Sequence, residues 1–258
     1  GPEHDGTVIL ASGIAESSIT IDAVRLVIDS GLSRQLRYDP NTGMEGLETV
    51  PSSLASAEQR RGRAGRQSAG QCVRLWSPAE QQRRPNFSPP ELLLADPQPI
   101  LMELAQWGAG VGKDLPWLDA PPQAAMQEGL SDLQALGLLQ PNGQLSPMGR
   151  QLSTLGVHPR LGLLMLEARF HGCSKLGCDL AVLLSERDPL AGRDAGCDLE
   201  ARLSVVDQHR TLRERSRQLQ QQLERLGPPA SKTNHVANAA ELVLRAFPQW
   251  LAQERPGQ

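Results

Sequence analysis

At 258 residues and 28.0 kDa, the chain suits one large domain or two to three small ones. Only 3 % of its residues are aromatic, which counts against a protein that grips single strands mainly by stacking bases, and no apolar run approaches the roughly 18 residues of a membrane span. The formal net charge of −3 hides a division: residues 57–84 hold seven arginines against two glutamates, residues 87–200 are acidic and residues 201–258 basic again.

In chain order, Gly1-Pro2-Glu3-His4-Asp5 has neither the basic start nor the apolar core of a secretion signal. Thr7 to Ala11 is a short β-rich run, and Val24 to Asp29 is a second one closed by Ser30-Gly31. Near-continuous apolar strands of this kind suit a buried parallel sheet. Between them Ile14 to Ile21 is too short for a full crossover helix. Asp39-Pro40-Asn41-Thr42-Gly43 is a turn cluster inside Leu36 to Val50, a candidate hairpin. Ser56-Ala57-Glu58-Gln59 has the S-x-x-Q form of a capping box and predicts a short helix beginning there. Cys72 to Trp76 reads as the last strand of the unit.

A proline-rich connector, Arg84 to Pro90, marks a boundary, after which the pattern turns helical. Ile100 to Trp107 is apolar at helical spacing and stops at Gly108. A helix after Pro121-Pro122 leads to Leu138 to Leu145, a strand–turn–strand signature with Asn142-Gly143 at its tip. Two helices followed by a small hairpin outline a winged helix. Pro159 starts a helix of a bundle. Asp198 to Leu226 reads as one long helix, and Val236 to Leu251 as a last one without an obvious cap. Four cysteines stand at Cys72, Cys173, Cys178 and Cys197. An even count would allow disulfides, but nothing else in the chain looks secreted, and the spacing of His171, Cys173 and Cys178 matches no zinc pair; the expectation is reduced thiols in the cytoplasm.

Gln59-Arg60-Arg61-Gly62-Arg63-Ala64-Gly65-Arg66 carries the most chemistry. On a helix, positions 59, 63 and 66 share one face, presenting an amide and two guanidinium groups, while Gly62 and Gly65 admit a close backbone approach. Guanidinium forks suit phosphate oxygens, and such a face suits a triphosphate. Spacing alone leaves a second reading open: a solvated basic helix or an arginine–glycine patch for nucleic acid.

Ile9 to Asp22, followed some 35 residues later by Ser56 to Arg66, resembles motifs V and VI of the DEAH-box helicases. Leu101 to Gly108, Leu115 to Asp119, His158-Pro159-Arg160-Leu161 and Asp179 to Leu190 are similar to the bacterial HrpB branch. The resemblance covers nearly the whole chain. It implies an α/β fold with a partial RecA-like domain over 1–84, a winged-helix domain over 85–157 and a helical ratchet-type bundle over 158–258. It implies that Gln59, Arg63 and Arg66 face the triphosphate, the two arginines as fingers. Thr20, Asp22 and Gly62 would be nucleotide-facing, and Ser12 and Gly13 would touch the RNA backbone. Gly13 departs from the family's asparagine and offers only its main chain. The cofactors implied are ATP and Mg2+, the partners single-stranded RNA and an upstream RecA-like domain, with no membrane.

No Gly-x4-Gly-Lys-Ser/Thr phosphate loop and no Asp-Glu-x-His sequence occur, so the lysine cradle and magnesium carboxylate of phosphoryl transfer are expected in that upstream domain. The expectation is a C-terminal portion of an ATP-dependent RNA helicase, inactive as an ATPase alone. The alternative is a non-catalytic winged-helix module that grips phosphates of DNA or RNA. Residues 122–139 offer only Glu128 and Asp132 as charges, which argues against groove reading by that helix.

Overall fold

The computed structural model describes residues 6–17, 21–191, 196, 198–228 and 237–252. Its contacts divide the chain into two units, one formed by residues up to Asp39 and Met44–Ala95, the other by Pro40–Gly43 and the chain from Asp96 onward.

The first unit opens with exposed chain. Thr7 to Ala11 forms no strand; Val8 and Leu10 are largely exposed, and no strand among the described residues pairs with them. The four-residue helix α1 (Ile14–Ser17) follows. The parallel sheet has two strands, β1 (Leu26–Asp29) and β4 (Gln71–Arg74), with Leu26 opposite Gln71 and Asp29 opposite Arg74. Between them run the expected hairpin, β2 (Leu32–Asp39) against β3 (Met44–Pro51), and helix α2 (Leu54–Ala64). Helix α2 packs on β1 and β4.

Helix α2 starts earlier than the S-x-x-Q pattern predicts. Ser53 is the N-cap, its Oγ accepting from the Ser56 N–H at 3.1 Å. The N–H groups of Leu54 and Ala55 donate to the carbonyls of Pro85 and Asn86 at 2.9 and 3.0 Å. The proline-rich stretch therefore satisfies helix donors that would otherwise lack partners. Ser77 caps α3 (Pro78–Arg83) through a complete capping box with Glu80. Arg84 stacks on Trp76, 4.0 Å from its ring centroid, and donates to the carbonyls of Gly31 and Ser52.

The second unit is helical. Helix α4 (Pro97–Trp107) ends at Gly108, whose φ of 77° lets the chain turn out of the helix, as expected. Helix α5 (Gln123–Ala135) leads to a bridge between Leu139 and Leu145 around the Asn142-Gly143 turn, then to α6 (Pro147–Ser153). Helix α7 (Pro159–Phe170) is buried along most of its length. It packs on α6, α8 (Ser174–Ser185) and α11 (Ala239–Ala246). One core joins these helices: Leu101, Leu133, Leu152, Leu163, Leu180 and Leu242 all belong to it.

The single helix expected from Asp198 to Leu226 is broken into α9 (Leu199–Leu203), a 3-10 turn at Val206–Gln208 and α10 (Arg210–Arg225). The apolar positions explain the break. Leu199, Leu203 and Val206 keep helical phase, but the step of six residues to Leu212 shifts the stripe by about 120° around a continuous helix. Helix α10 buries Leu212, Leu219 and Leu223, while Leu199 and Leu203 of α9 are half-buried against the same core. Helix α11 begins with a capping box between Asn238 and Glu241, a cap that the Asn-x-x-Glu spacing carries although the expectation had none, and it stops before Pro248. Val236 and Cys197 lie outside the described residues. No helix among the described residues is long and apolar enough to cross a membrane.

Candidate functional site

The two faces of α2 have different tasks. Ser53, Ser56, Ala57, Arg60 and Ala64 recur at helical spacing and turn inward, all of them buried except the half-buried Arg60. Gln59 and Gly62 are exposed on the other side, with Arg63 half-buried. The helix ends at Ala64 rather than continuing to Arg66, yet Arg66 still joins the same group. Gln59, Gly62, Arg63, Arg66 and Glu16 line one open pocket of about 400 Å3. A methyl group built on Gly62 or Gly65 would meet nothing within 4 Å, so this side of the helix is open to an approaching ligand.

The pocket is a donor surface. Arg63 is held by the main-chain carbonyl of Glu16, which accepts from its Nε at 3.2 Å and also from its Nη2. Arg66 is exposed and makes no hydrogen bond or ion pair among the described residues. The Glu16 carboxylate pairs with Arg60 at 3.1 Å rather than with either pocket arginine. Glu16 is thus an internal ion-pair partner of Arg60. Two further arginines are also engaged. Arg61 and Arg74 both pair with Glu58, and these two guanidinium groups, Arg74 first, hold its carboxyl below the usual carboxylate range. One amide and two guanidinium groups line this single opening, a donor set that suits phosphate oxygens.

The other predicted residues are placed differently. Asp22 lies outside this pocket; its Oδ1 accepts from Gln67 Nε2 at 2.7 Å, and Gln67 Oε1 accepts from the Ala23 N–H at 3.0 Å. Ala23 has a φ of 62°, a conformation that costs a residue with a Cβ about 1–2 kcal/mol. Ser12 and Gly13 are exposed just before α1, where the Gly13 carbonyl accepts from the Glu16 N–H at 3.0 Å. Thr20 lies outside the described residues. Among the described residues no three metal-ligating side chains converge.

Arg60, which lies off the face shared by positions 59, 63 and 66, has four partners. Its Nη1 donates to the buried Asp29 carboxylate at 3.0 Å and to the Leu32 carbonyl at 3.1 Å, its Nη2 to Ser33 Oγ at 2.8 Å and its Nε to Glu16. A signal was present: Arg60 lies three residues after Ala57 and four before Ala64, on the small-residue stripe that must face inward. Asp29 and Gln67 had no comparable signal, since their partners are 31 and 45 residues away.

Residues 2–68 match the family model described as the helicase conserved C-terminal domain. The ATP-dependent RNA helicase HrpA of Escherichia coli (strain K12) is 38 % identical over 192 residues, covering 72 % of this chain and 15 % of that protein. HrpB of the same organism, also named an ATP-dependent RNA helicase, is 36 % identical over 195 residues, 76 % of this chain and 24 % of that protein. The crystal structure of E. coli HrpB, a DExH-box NTPase, matches with a TM-score of 0.77 at 34 % identity over 96 % of this chain and 29 % of that one. The chain spans about a quarter or less of the length of these two curated relatives.

Proposed function

Since the chain is a homologue of the HrpA- and HrpB-type DEAH-box RNA helicases and carries helicase C-terminal domain sequence at its start, we propose that it supplies the arginine-finger side of such an enzyme's ATP site. The first unit would be part of a RecA-like domain (1–84), followed by a winged helix (85–157) and a helical bundle (158–258) that hold single-stranded RNA, in the cytoplasm. The observation that supports this reading is the single opening lined by Gln59, Gly62, Arg63 and Arg66.

In this reading ATP contributes a hydrolysable phosphoanhydride, and the residues of this chain act on its charge. Arg63 and Arg66 bring guanidinium forks to the phosphate oxygens, where charge grows in phosphoryl transfer. Gln59 orients the group they meet. Asp22 and Thr20 are assigned to the nucleotide, Ser12 and the main chain of Gly13 to the RNA backbone. The donor set of the pocket fits phosphate. Its one carboxylate among the described residues, Glu16, is taken by Arg60, so Mg2+ is assigned to carboxylates of an upstream RecA-like domain.

The test is reconstitution. The chain alone is expected to show no RNA-stimulated ATP turnover, and the protein including the upstream domain to show both turnover and unwinding. Arg63→Ala or Arg66→Ala in that protein is expected to lower kcat by about 10³-fold or more, the range of arginine fingers. ATP turnover by the chain alone well above background, or full activity of both variants, would overturn the reading.

A further inference from the structure

We propose that Glu16 is a positioning residue for Arg63, anchored in turn through Arg60 to the buried Asp29; this rests on the reading of Arg63 given above. Helix α1 has only four residues, too few to hold its own shape in water. Its last turn is instead fastened from outside. Asp29 is buried at the end of β1, where its Oδ1 accepts from the Gly31 N–H at 2.9 Å and from Arg60 Nη1 at 3.0 Å. Arg60 is further fixed by the Leu32 carbonyl and Ser33 Oγ, and its Nε then takes Glu16 Oε2 at 3.1 Å. The Arg60 and Glu16 side chains are 16 % and 20 % exposed, so water competes only weakly for this pair.

The outcome of that fastening is the location of the Glu16 main-chain carbonyl, which accepts from both Nε and Nη2 of Arg63. One residue thus uses its carboxylate to fix itself and its carbonyl to orient its neighbour. Arginine has many rotamers, and a side chain already aligned by folding does not have to be ordered during the reaction. Arg66, on the same pocket, has no such support among the described residues. The two arginines are therefore unequal: Arg63 is pre-oriented, and Arg66 is ordered only by what it binds.

Two measurements test this, and they fail separately. The first needs no ATPase activity: the Nε–H resonance of Arg63 in the 15N-labelled chain, assigned by its loss in Arg63→Lys. Its solvent exchange is expected to rise at least tenfold in Glu16→Ala and to stay within about threefold of wild type in Glu16→Gln, which can still accept from Arg60. The second uses the protein with its upstream domain. There Glu16→Ala is expected to lower kcat about tenfold with KM for ATP within twofold, and to add nothing in an Arg63→Ala background. An unchanged Arg63 resonance in a folded Glu16→Ala chain would overturn the proposal. So would a kcat loss that persists in full when Arg63 is already alanine. Should Glu16→Ala fail to fold, Arg60→Lys, which removes the Nε donor, is expected to loosen Arg63 equally, and an undisturbed Arg63 there would also overturn it. If Arg63→Ala and Arg66→Ala both leave turnover intact while the resonance behaves as expected, the functional reading is overturned and the positioning stands.

Discussion

Arg160 offers the sharpest test of how the second unit is held together. It lies in His158-Pro159-Arg160-Leu161, is 2 % exposed, and joins three helices. From the start of α7 its Nη2 donates to Asp132 Oδ2 of α5 at 2.6 Å, and its Nη1 to the Ala246 carbonyl at the end of α11 at 2.8 Å. Methionine fills a comparable volume without donors, so Arg160→Met isolates the polar loss. The Ala246 residue is fully buried, and its carbonyl left without a donor costs about 1–3 kcal/mol. The ion pair adds only about 1 kcal/mol, because the Asp132 side chain is 40 % exposed and keeps Gln98 Nε2 at 3.2 Å. The total is about 3 kcal/mol, and at about 2–4 °C per kcal/mol the expected fall in Tm is about 6–12 °C. Circular dichroism at 222 nm follows it, with urea titration for the free energy. A variant within about 0.5 kcal/mol of wild type, the range of ordinary surface substitutions, would refute the claim that Arg160 ties these helices.

Two glycines separate space from conformation. A Cβ on Gly70 would stand 2.1 Å from the Ala64 carbonyl oxygen and 2.9 Å from that of Arg25, so Gly70→Ala should cost about 1–3 kcal/mol by forcing two main-chain segments apart. Gly108→Ala meets nothing within 4 Å and should cost about 1 kcal/mol through its positive φ alone; equal urea midpoints for the two variants would contradict this distinction. Burial pushes the Cys178 thiol from 9.0 up to about 12. Between those values the unfolded chain releases a proton that the folded chain keeps, so the stability contributed by Cys178 falls as pH rises, by at most about 1.4 kcal/mol per pH unit. Urea titrations at pH 8.5, 9.5 and 10.5 should show a flatter decline for Cys178→Ala than for wild type, and identical slopes would count against the burial effect. At pH 8 iodoacetamide should leave Cys178 unlabelled in the folded chain, read by mass spectrometry.

Local chemistry is what the residue order states without help. The Pro40–Gly43 turn, the stop at Gly108, the Asn142-Gly143 turn and the proline-initiated helix at 159 all rest on backbone preferences of a few neighbouring residues. The shared face of Gln59 and Arg63 follows from helical period alone. Partners distant in sequence are not encoded that way. Thr7 to Ala11 has a strand's composition but pairs with no strand among the described residues, and Ser53 rather than Ser56 begins α2 because carbonyls 31 residues further on supply its first acceptors. Which arginine faces the pocket and which is consumed inside depends likewise on Asp29 and Glu16, placed by the sheet and by α1. A side chain's type fixes what it can bond to; only packing decides which of its possible partners arrives within 3 Å.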